Sequence, residues 1–467
     1  MSKTPNRRKS SKLPALLMLG CLAQPVRAEL LLDHHLSALP DTVQKSHFSS
    51  SVPAEKKSPA GLTLKELTDL ALRNNPDTRE AWSAVQVQMS SVEIAQADKY
   101  PNIGANVSLT RGFSSGRSDS SQTQLSSGIS LSYILFDFGA RSANEQAERS
   151  NLLAANLTQN RTLQAVVTRV EQAYYQLLAA RQTVLAAQKT LTTVQFSLDV
   201  ANQKRRSGMA TIGDVYQAQT AVAQSRLQLR KAQGEAGKFK GVLCNAVGLA
   251  VNTELELAEA DAPPPAREMQ LGVAQYLAKA KTSRPDLAAL EAQTRAARAN
   301  IEAASAAGKP VLELSVNGGH TLNNFTGTNF ANGSNSASIG INLNVPLFNG
   351  YRTANTINQA VARAGQMEAS LSRIAQQIEL EVWQAYFDLD TAVAAMESAE
   401  ALMQSARQAR EVTQARYQAG VGNLQELLSA QANEANARME VIQAEMSWYA
   451  GFSRLNNAIG EFSVVAQ

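Results

Sequence analysis

Apolar positions between Ala140 and Asn245 recur at steps that alternate between three and four residues. This spacing places them on one face of a helix, as in the seam of a coiled coil. A glycine-containing break at Arg206–Gly213 predicts a tight turn, after which a second long helix runs back along the first. About 67 residues at about 1.5 Å each give the first arm a length of roughly 100 Å. The predicted seam consists of Leu163, Val166, Val170, Ala173, Leu177, Ala180 and Val184.

Before this helix the apolar residues are spaced by two. They lie at Ile103, Ala105, Val107 and Leu109, and again at Ile129, Leu131 and Tyr133. The Gly- and Ser-rich stretch Arg111–Gln124 is interpreted as a loop, which predicts a β-hairpin with one apolar face and one small, polar face. Such a hairpin fits the surface of a soluble domain, or a membrane barrel whose apolar face contacts lipid. The neutral polar face and the export signal described below favour the membrane strand.

Two shorter helices are predicted before the hairpin. The capping pattern Thr63-Leu64-Lys65-Glu66 begins a helix that extends to about Arg73. Asn75-Pro76-Asp77 then breaks this helix and caps a second one, which ends before Tyr100-Pro101 because the residue before a proline avoids the helical conformation.

The same order of features occurs twice along the chain. Matching pairs at an offset of 209 are Pro76 with Pro285 and Pro101 with Pro310, and pairs at 212 are Phe136 with Phe348, Tyr174 with Tyr386 and Gly208 with Gly420. Apolar alternation returns at Leu312, Leu314 and Val316 and at Ile339, Ile341, Leu343 and Val345, and a second seam at Val382, Ala385, Leu389, Ala392, Met396, Ala399 and Met403. An internal duplication is therefore predicted. Its parts are a first repeat at 62–249, a linker at 250–267, a second repeat at 268–460 and a tail at 461–467.

The N-terminus has the features of an export signal. Basic residues between Lys3 and Lys12 precede the apolar run Leu13–Leu22, and Val26-Arg27-Ala28 fits a cleavage site. Residues 1–28 are therefore predicted to be a signal peptide. Lipidation of Cys21 is the alternative, because Leu19-Gly20-Cys21 partly resembles a lipoprotein cleavage box. Residues 29–61 lack periodicity and are predicted to be flexible. No later apolar run is long enough for a transmembrane helix, so membrane insertion would have to use strands.

Composition narrows the function classes. Aromatic residues make up 5% of the chain against 44% hydrophobic residues overall, which favours extended helices with narrow seams over a thick core. The net charge of +4 is small, and no basic cluster with interleaved aromatics predicts nucleic-acid binding. Four histidines, including a His34-His35 pair interpreted as solvated, predict neither a metal site nor a catalytic base, and no cofactor site or enzyme is predicted.

The predicted strands impose an oligomer. Four strands per chain cannot close a barrel, and an open sheet edge is not tolerated in lipid. Two chains would supply eight strands, whose interior side chains would fill. Three chains would supply twelve, which leaves a water-filled lumen. The long helices continue from one end of this barrel and are expected to form a second, helical tube.

At this level the sequence resembles the TolC family of outer-membrane efflux and secretion channels. The residues that carry the resemblance are the paired Asn75-Pro76-Asp77 and Arg284-Pro285-Asp286, the strand-to-helix switches Leu135-Phe136-Asp137 and Pro346-Leu347-Phe348-Asn349-Gly350, and the helix turns from Gly208 to Val215 and from Tyr417 to Leu427. The resemblance implies a mainly α fold with a β-barrel portion: a homotrimer with a twelve-stranded outer-membrane barrel, in contact with lipid and continuous with a long periplasmic α-barrel. It also implies docking to a periplasmic adaptor (membrane fusion) protein and to an inner-membrane pump or ABC transporter.

The helix turns are the candidate functional sites. Gly208 and Gly420 are predicted to permit sharp turns that dock the adaptor. Asp214 and Glu426 occupy matching positions, either as first-turn helix caps or as acidic rings at the tube entrance. In the resembled family, acidic residues here and a tyrosine that aligns with Tyr417 constrict the entrance. Gly422 stands where that family has a basic partner.

Two functions are compared. The first is a passive exit duct of a tripartite efflux pump or a type I secretion system, located in the outer membrane and extending into the periplasm. The second is a periplasmic coiled-coil adaptor or scaffold, which would have one helical hairpin with flanking β-domains and no duplicated strand pairs. The sequence does not identify the cargo, since drugs, metals and secreted polypeptides would use similar ducts.

Overall fold

The computed structural model describes residues 61–114, 120–258, 271–325 and 332–461. The elements of the first half are α1 (Leu64–Asn74), α2 (Pro76–Ala97), β1 (Asn102–Ser114), β2 (Ser120–Phe136), α3 (Ala140–Arg206) and α4 (Ile212–Val247). Those of the second half are α5 (Val273–Ser283), α6 (Pro285–Ala306), β3 (Val311–Phe325), β4 (Asn332–Asn344), α7 (Arg352–Gln418) and α8 (Leu424–Ile459). Cys21 and the predicted signal peptide lie outside the described residues.

The two halves contain the same elements in the same order, and their helices have equal lengths. The four helices of each half have 11, 22, 67 and 36 residues. The Thr63 capping box is present at the start of α1, as its sequence predicted. Equal helix lengths in both halves agree with the repeat that the sequence offsets indicate.

The seams predicted from the three-four spacing are buried. On α3 the residues from Val166 to Ala180 in the predicted set lie in the core, whereas Leu163 and Val184 at its ends are half-buried. Each repeat has its own core, in which a short helix covers the long hairpin. Leu67 of α1 packs with Val170 and Leu243 in the first core. Ala280 of α5 packs with Val382 and Ile459 in the second.

The four strands form one antiparallel sheet in the order β1-β2-β3-β4. The two hairpins join through β2 and β3, where Leu131 pairs with Val316. The predicted loop Arg111–Gln124 was too long, because β1 and β2 remain paired as far as Ser114 and Ser120. Backbone hydrogen bonds between strands do not depend on apolar side chains, so a Gly- and Ser-rich segment can extend a ladder. Within the described chain, β1 and β4 are the edges of the sheet.

A left-handed backbone turn joins each strand pair to its long helix. Phe138 and Gly139 have φ values of 53° and 89°, and Gly350 and Tyr351 have φ values of 66° and 63°. In the first repeat the Asp137 carboxylate accepts hydrogen bonds from the backbone N–H of Gly139 and from the Arg141 side chain, at 3.1 and 2.8 Å. This turn redirects the chain from the sheet into the helix within about three residues.

In each repeat the junction of the two short helices packs against the end of the hairpin. The Asn75 side chain donates to the Ala246 carbonyl at 2.9 Å, and the equivalent Arg284 donates to the Ala458 carbonyl at 3.0 Å. The glycine that follows each hairpin, Gly248 or Gly460, lies against this junction. An added Cβ at Gly460 would lie 2.8 Å from the carbonyl oxygen of Ser283.

Part of the predicted linker is packed against the first repeat. Leu62 and Leu257 form a parallel β-bridge, and Leu255 is buried in the first core. Only the part of the linker after residue 258 lies outside the described residues. Across the described ranges, none of the helices combines the length and the apolar character needed to cross a membrane.

Gly208, which has open space around it, and Gly460, which packs on Ser283, give a matched test of packing. Gly208 and Gly460 have nearly the same φ, 78° and 80°, but an added Cβ at Gly208 meets no atom within 4 Å. Gly208→Ala should therefore lower the stability by about 1–2 kcal/mol through backbone strain alone. Gly460→Ala should cost about 1–3 kcal/mol more, because the backbone of Ser283 must move. Thermal unfolding of the detergent-solubilised protein, followed by circular dichroism, measures both. Equal effects would contradict the packing of Gly460 on this junction.

Candidate functional site at the helix turns

The turn between α3 and α4 is closed by two backbone hydrogen bonds. The N–H of Gly208 donates to Arg205 at 3.0 Å, and the N–H of Met209 donates to Lys204 at 2.7 Å. This is the Schellman arrangement, in which a residue with positive φ ends a helix and satisfies its last carbonyls. Gly208 supplies that conformation, as its sequence position predicted.

The turn between α7 and α8 has the same construction. The N–H of Gly420 donates to Tyr417 at 3.2 Å, and the N–H of Val421 donates to Arg416 at 3.0 Å. Gly420 has a φ of 80°, and an added Cβ would meet no atom within 4 Å, as at Gly208. The described chain therefore leaves the surface of both turns uncovered.

Asp214 and Glu426 both lie in the first turn of the helix that follows a helix turn. Asp214 accepts from the backbone N–H of Thr211 at 2.7 Å, while the Thr211 hydroxyl accepts from the N–H of Asp214, forming a capping box. At α8 the cap is Asn423, which accepts from the N–H of Glu426 at 2.7 Å and donates from its side-chain amide to the Glu426 carboxylate at 3.1 Å. Asp214 is therefore part of a helix cap, whereas Glu426 is a first-turn acid.

The two turns lie next to each other. An apolar cluster joins the hairpins and consists of Ala201, Ala218, Tyr417, Leu424 and Leu427. The buried amide of Gln431 on α8 donates to the Ser197 hydroxyl on α3 at 2.8 Å. Residues that are more than 200 positions apart in sequence therefore share one site at the end of the rod.

Tyr417 lies at the centre of this site. Its side chain is only 5% exposed, and its hydroxyl has no hydrogen-bond partner among the described residues. Burial raises the pKa of this hydroxyl above its ordinary value, and the negative charge of Asp214 raises it further. Tyr417 is therefore neutral at physiological pH and can donate a hydrogen bond.

Lys204 holds the two hairpins together at Tyr417. Its ammonium group lies 4.1 Å from the centroid of the Tyr417 ring and also donates to the Tyr417 carbonyl. A cation over an aromatic face is stabilised by the quadrupole of the ring. This contact joins the last turn of α3 to the last turn of α7.

A second basic residue, Arg416, lies beside Glu426. The guanidinium and carboxylate are 3.7 Å apart, and both side chains are about half exposed. Gly422 packs on Arg416, with its N–H donating to the Arg416 carbonyl at 3.1 Å. The basic groups of this site thus come from α3 and α7.

Lys204 and Arg416 were not predicted from the sequence. They are equivalent in the two repeats, since 416 minus 204 is 212, and both lie in the last turn of a 67-residue helix. Their shared position in the two repeats could have identified them from the sequence. Their contacts could not have been predicted, because these contacts depend on how the two hairpins pack together.

The sheet carries a second surface of interest. Its apolar face includes Ile103, Val107, Leu109, Ile129, Ile339, Ile341 and Leu343, which are 63–76% exposed. Ser, Asn, Thr, Gln and Gly predominate on the opposite face of the described strands, which also has apolar residues at its ends, among them Ile134 and Val311, and a single carboxylate, Glu313. A monomeric soluble protein rarely exposes so continuous an apolar face.

The remaining candidate chemistry is sparse in the described part of the chain. No group of three or more His, Cys, Asp or Glu residues there could hold a metal ion. Cys244 is buried, with its thiol 3.7 Å from the Thr253 carbonyl. Its surroundings are those of a packed core residue.

Comparison with known proteins gives consistent matches. The family model described as "Outer membrane efflux protein" matches residues 67–238 and 276–461, which together are more than half of the chain. The chain is 32% identical to Protein CyaE of Bordetella pertussis, over 81% of this chain and 79% of that protein. It is 25% identical to the outer membrane protein TolC of Vibrio cholerae, over 89% and 93% of the two chains.

A solved structure shares the fold. The crystal structure of CusC superposes with a TM-score of 0.76 at 24% identity, and the match covers 85% of this chain and 92% of that one. The matched family segments contain the four strands, both helix turns, the second long hairpin and the first long hairpin as far as residue 238. The duplicated hairpins, the two-faced sheet and these matches agree, and the chain belongs to the TolC-like family of outer membrane efflux proteins and is located in the outer membrane.

Proposed function

We propose that three copies of this chain form the exit duct of a tripartite efflux pump or a type I secretion system. One observation carries the proposal. An antiparallel sheet with one apolar face and one nearly uncharged polar face leads directly into two 67-residue helices, through the left-handed turns at Gly139 and Gly350. Such a chain can place a lipid-facing wall and a periplasmic wall on one continuous conduit.

The sheet edges support a closed oligomer of three. Among the described strands, β1 and β4 each have one edge without a neighbouring strand, and lipid offers no hydrogen-bond partner for the backbone groups on that edge. Pairing β1 of one copy with β4 of the next satisfies both edges. Three copies give twelve strands, which is wide enough for a water-filled lumen. The small polar side chains on the second sheet face would line this lumen.

The helix turns are suited to docking a periplasmic adaptor. They lie at the end of the rod opposite the sheet, and their surface is not covered by the chain itself. The adaptor would in turn connect the duct to an inner-membrane pump or ABC transporter. The duct supplies a path only, and the energy for transport comes from that partner.

The adaptor hypothesis is weaker. An adaptor needs one helical hairpin between soluble β-domains. This chain has two hairpins of equal length and a single sheet whose apolar face is exposed. Membership of the outer membrane efflux protein family also favours the duct.

Membrane fractionation and channel recording test the proposed function directly. We expect the mature protein in the outer-membrane fraction as a heat-modifiable trimer that forms channels in planar bilayers. The physical reason is that only closure between copies satisfies both sheet edges. Multi-angle light scattering in detergent measures the mass. A soluble periplasmic monomer that forms no channels would contradict the duct and favour the adaptor.

Substitutions at the turn glycines can separate the effect of side-chain bulk from the effect of backbone strain. Gly208→Trp combined with Gly420→Trp should abolish export while trimers remain in the membrane, because both side chains would occupy the uncovered docking surface. Gly208→Ala combined with Gly420→Ala is the matched control, since it introduces the same positive-φ strain without bulk. Export by whole cells measures the effect. Unchanged export with the tryptophan pair would rule out docking at the turns.

The entrance carboxylates are tested by separating charge from capping. If Asp214 and Glu426 form acidic rings, the channel should prefer cations and be blocked by multivalent cations. Replacing both carboxylates with Ala should weaken both the preference for cations and the block by multivalent cations. Asp214→Asn with Glu426→Gln should do the same, because amides can still accept capping hydrogen bonds but carry no charge.

Arg416 provides a control of opposite sign. Its guanidinium lies near Glu426, so Arg416→Gln should strengthen the cation preference. Single-channel recordings in planar bilayers measure the selectivity of all these variants. If the neutral pair keeps the wild-type selectivity and block, the two carboxylates act only in the first turns of their helices.

A further inference from the structure

The apolar face of the sheet meets a row of polar residues on β1, β2 and β3. Moving away from the helices along this face, the last aliphatic row consists of Leu109, Leu125 and Leu322. The next row consists of Arg111, Thr123 and Asn324. We call these three residues, Arg111, Thr123 and Asn324, the outer rim.

The strand register places the outer rim in one row. Arg111 pairs with Thr123, and Thr123 pairs with Asn324. A second polar row, formed by Ser127, His320 and Asn335, lies four residues, or about 13 Å, closer to the helices along the strands. The row of Leu109, Leu125 and Leu322 separates the two polar rows.

The outer rim directly follows the last aliphatic row on three strands. In a membrane, the end of such an apolar band is the level at which lipid headgroups begin.

Polar or cation–π contacts occur in both polar rows of this face. The Nδ1 of His320 lies 2.6 Å from the Oδ1 of Asn335, and the Ser127 hydroxyl donates to the His320 carbonyl at 3.5 Å. The guanidinium carbon of Arg111 lies 5.1 Å from the centroid of the Phe113 ring. Phe113 is on the same face, two residues farther from the helices, so the ring supports the guanidinium from the outer side.

The charge distribution of the sheet singles out Arg111. It is the only Lys or Arg in the described strand residues. Glu313, the only carboxylate among them, belongs to the opposite face and to the end nearest the helices. Within these strands, then, a fixed positive charge lies at the headgroup boundary with no carboxylate on its face.

We propose that Arg111 on the outer rim binds the phosphate of an anionic membrane lipid. The proposal rests on the proposed function, because it requires the sheet to lie in lipid. A guanidinium presents N–H groups in a planar fork that fits phosphate oxygens in pairs. Stacking on Phe113 fixes the plane of that fork, which lowers the entropy lost on binding. The lipid chains would cover Leu109 and Val107 below.

Brominated lipids and a tryptophan reporter test this site. Leu109→Trp places a fluorophore beside Arg111, while the native Trp82, Trp383 and Trp448 on the helices give a constant background. The trimer is reconstituted into phosphatidylcholine vesicles that contain dibrominated phosphatidic acid or the same fraction of dibrominated phosphatidylcholine. We expect phosphatidic acid to be preferred about five-fold at the reporter, the effect of one basic residue near an anionic lipid.

Matched variants locate the effect. Arg111→Gln should reduce the preference to about one, and Arg111→Lys, which keeps the charge but lacks the planar fork, should retain only part of it. Arg226→Gln removes one exposed charge from α4 and should leave the preference unchanged. A reporter at Ile103→Trp, on the same face but eight residues nearer the helices, should show no preference that depends on Arg111. If Leu109→Trp does not assemble, Phe113→Trp is the second reporter, since it keeps an aromatic ring beside Arg111.

The outcomes separate this site from the proposed function. Equal quenching by both brominated lipids with Arg111 present, or a preference that survives Arg111→Gln, would overturn the lipid site and leave the duct intact. Absence of quenching by either lipid at both Leu109→Trp and Ile103→Trp would show that the face does not contact lipid. That result would overturn the proposed function as well.

Discussion

Backbone hydrogen bonding at the sheet edges is the constraint on which the other features depend. A strand at a lipid-exposed edge leaves a row of N–H and C=O groups unpaired, at a cost of several kcal/mol for each group. The described sheet has two such edges, β1 and β4. In the proposed duct, pairing these edges between copies would close the oligomer into a ring. The long helices would then be placed around the same axis, because α3 begins four residues after β2 and α7 begins eight residues after β4.

The helices of the two repeats have the same arrangement but carry different ion pairs at equivalent positions. Arg169 on α3 and Glu381 on α7 occupy equivalent positions with opposite charge. Arg169 pairs with Asp77 at 2.7 Å, and Glu381 pairs with the buried Arg284 at 3.0 Å. Burial alone would raise the pKa of Asp286. The hydrogen bonds and charge of Arg284 instead hold this pKa below its ordinary value. The backbone of the junction is retained while the ions that fill it are exchanged.

Most of the fold could be predicted from the sequence, because helical spacing, helix caps and turns depend on residues that are close together in the chain. Val170 and Leu389 were identified by helical spacing, Thr63 by its capping box and Gly208 by the need for positive φ. The strand ends were missed because Gly and Ser do not indicate pairing when both partners are small. At the helix turns, Asp214 and Tyr417 were identified, but the contact of Lys204 with Tyr417 was not. That contact joins residues 213 positions apart and exists only after both hairpins have packed.

The equal helix lengths also define where the chain can accept extra residues. The offset between repeats is 209 at Pro101 and Pro310 but 212 at Phe136 and Phe348, so a difference of three residues lies within the strand pairs. The long helices have 67 and 36 residues in both repeats, so their lengths do not differ between the repeats. One inserted residue rotates every later position of a helix by about 100°, which would turn a seam out of its core. The connections at the outer ends of the strand pairs are therefore the natural places to insert a tag or an epitope, and the helices are the places to avoid.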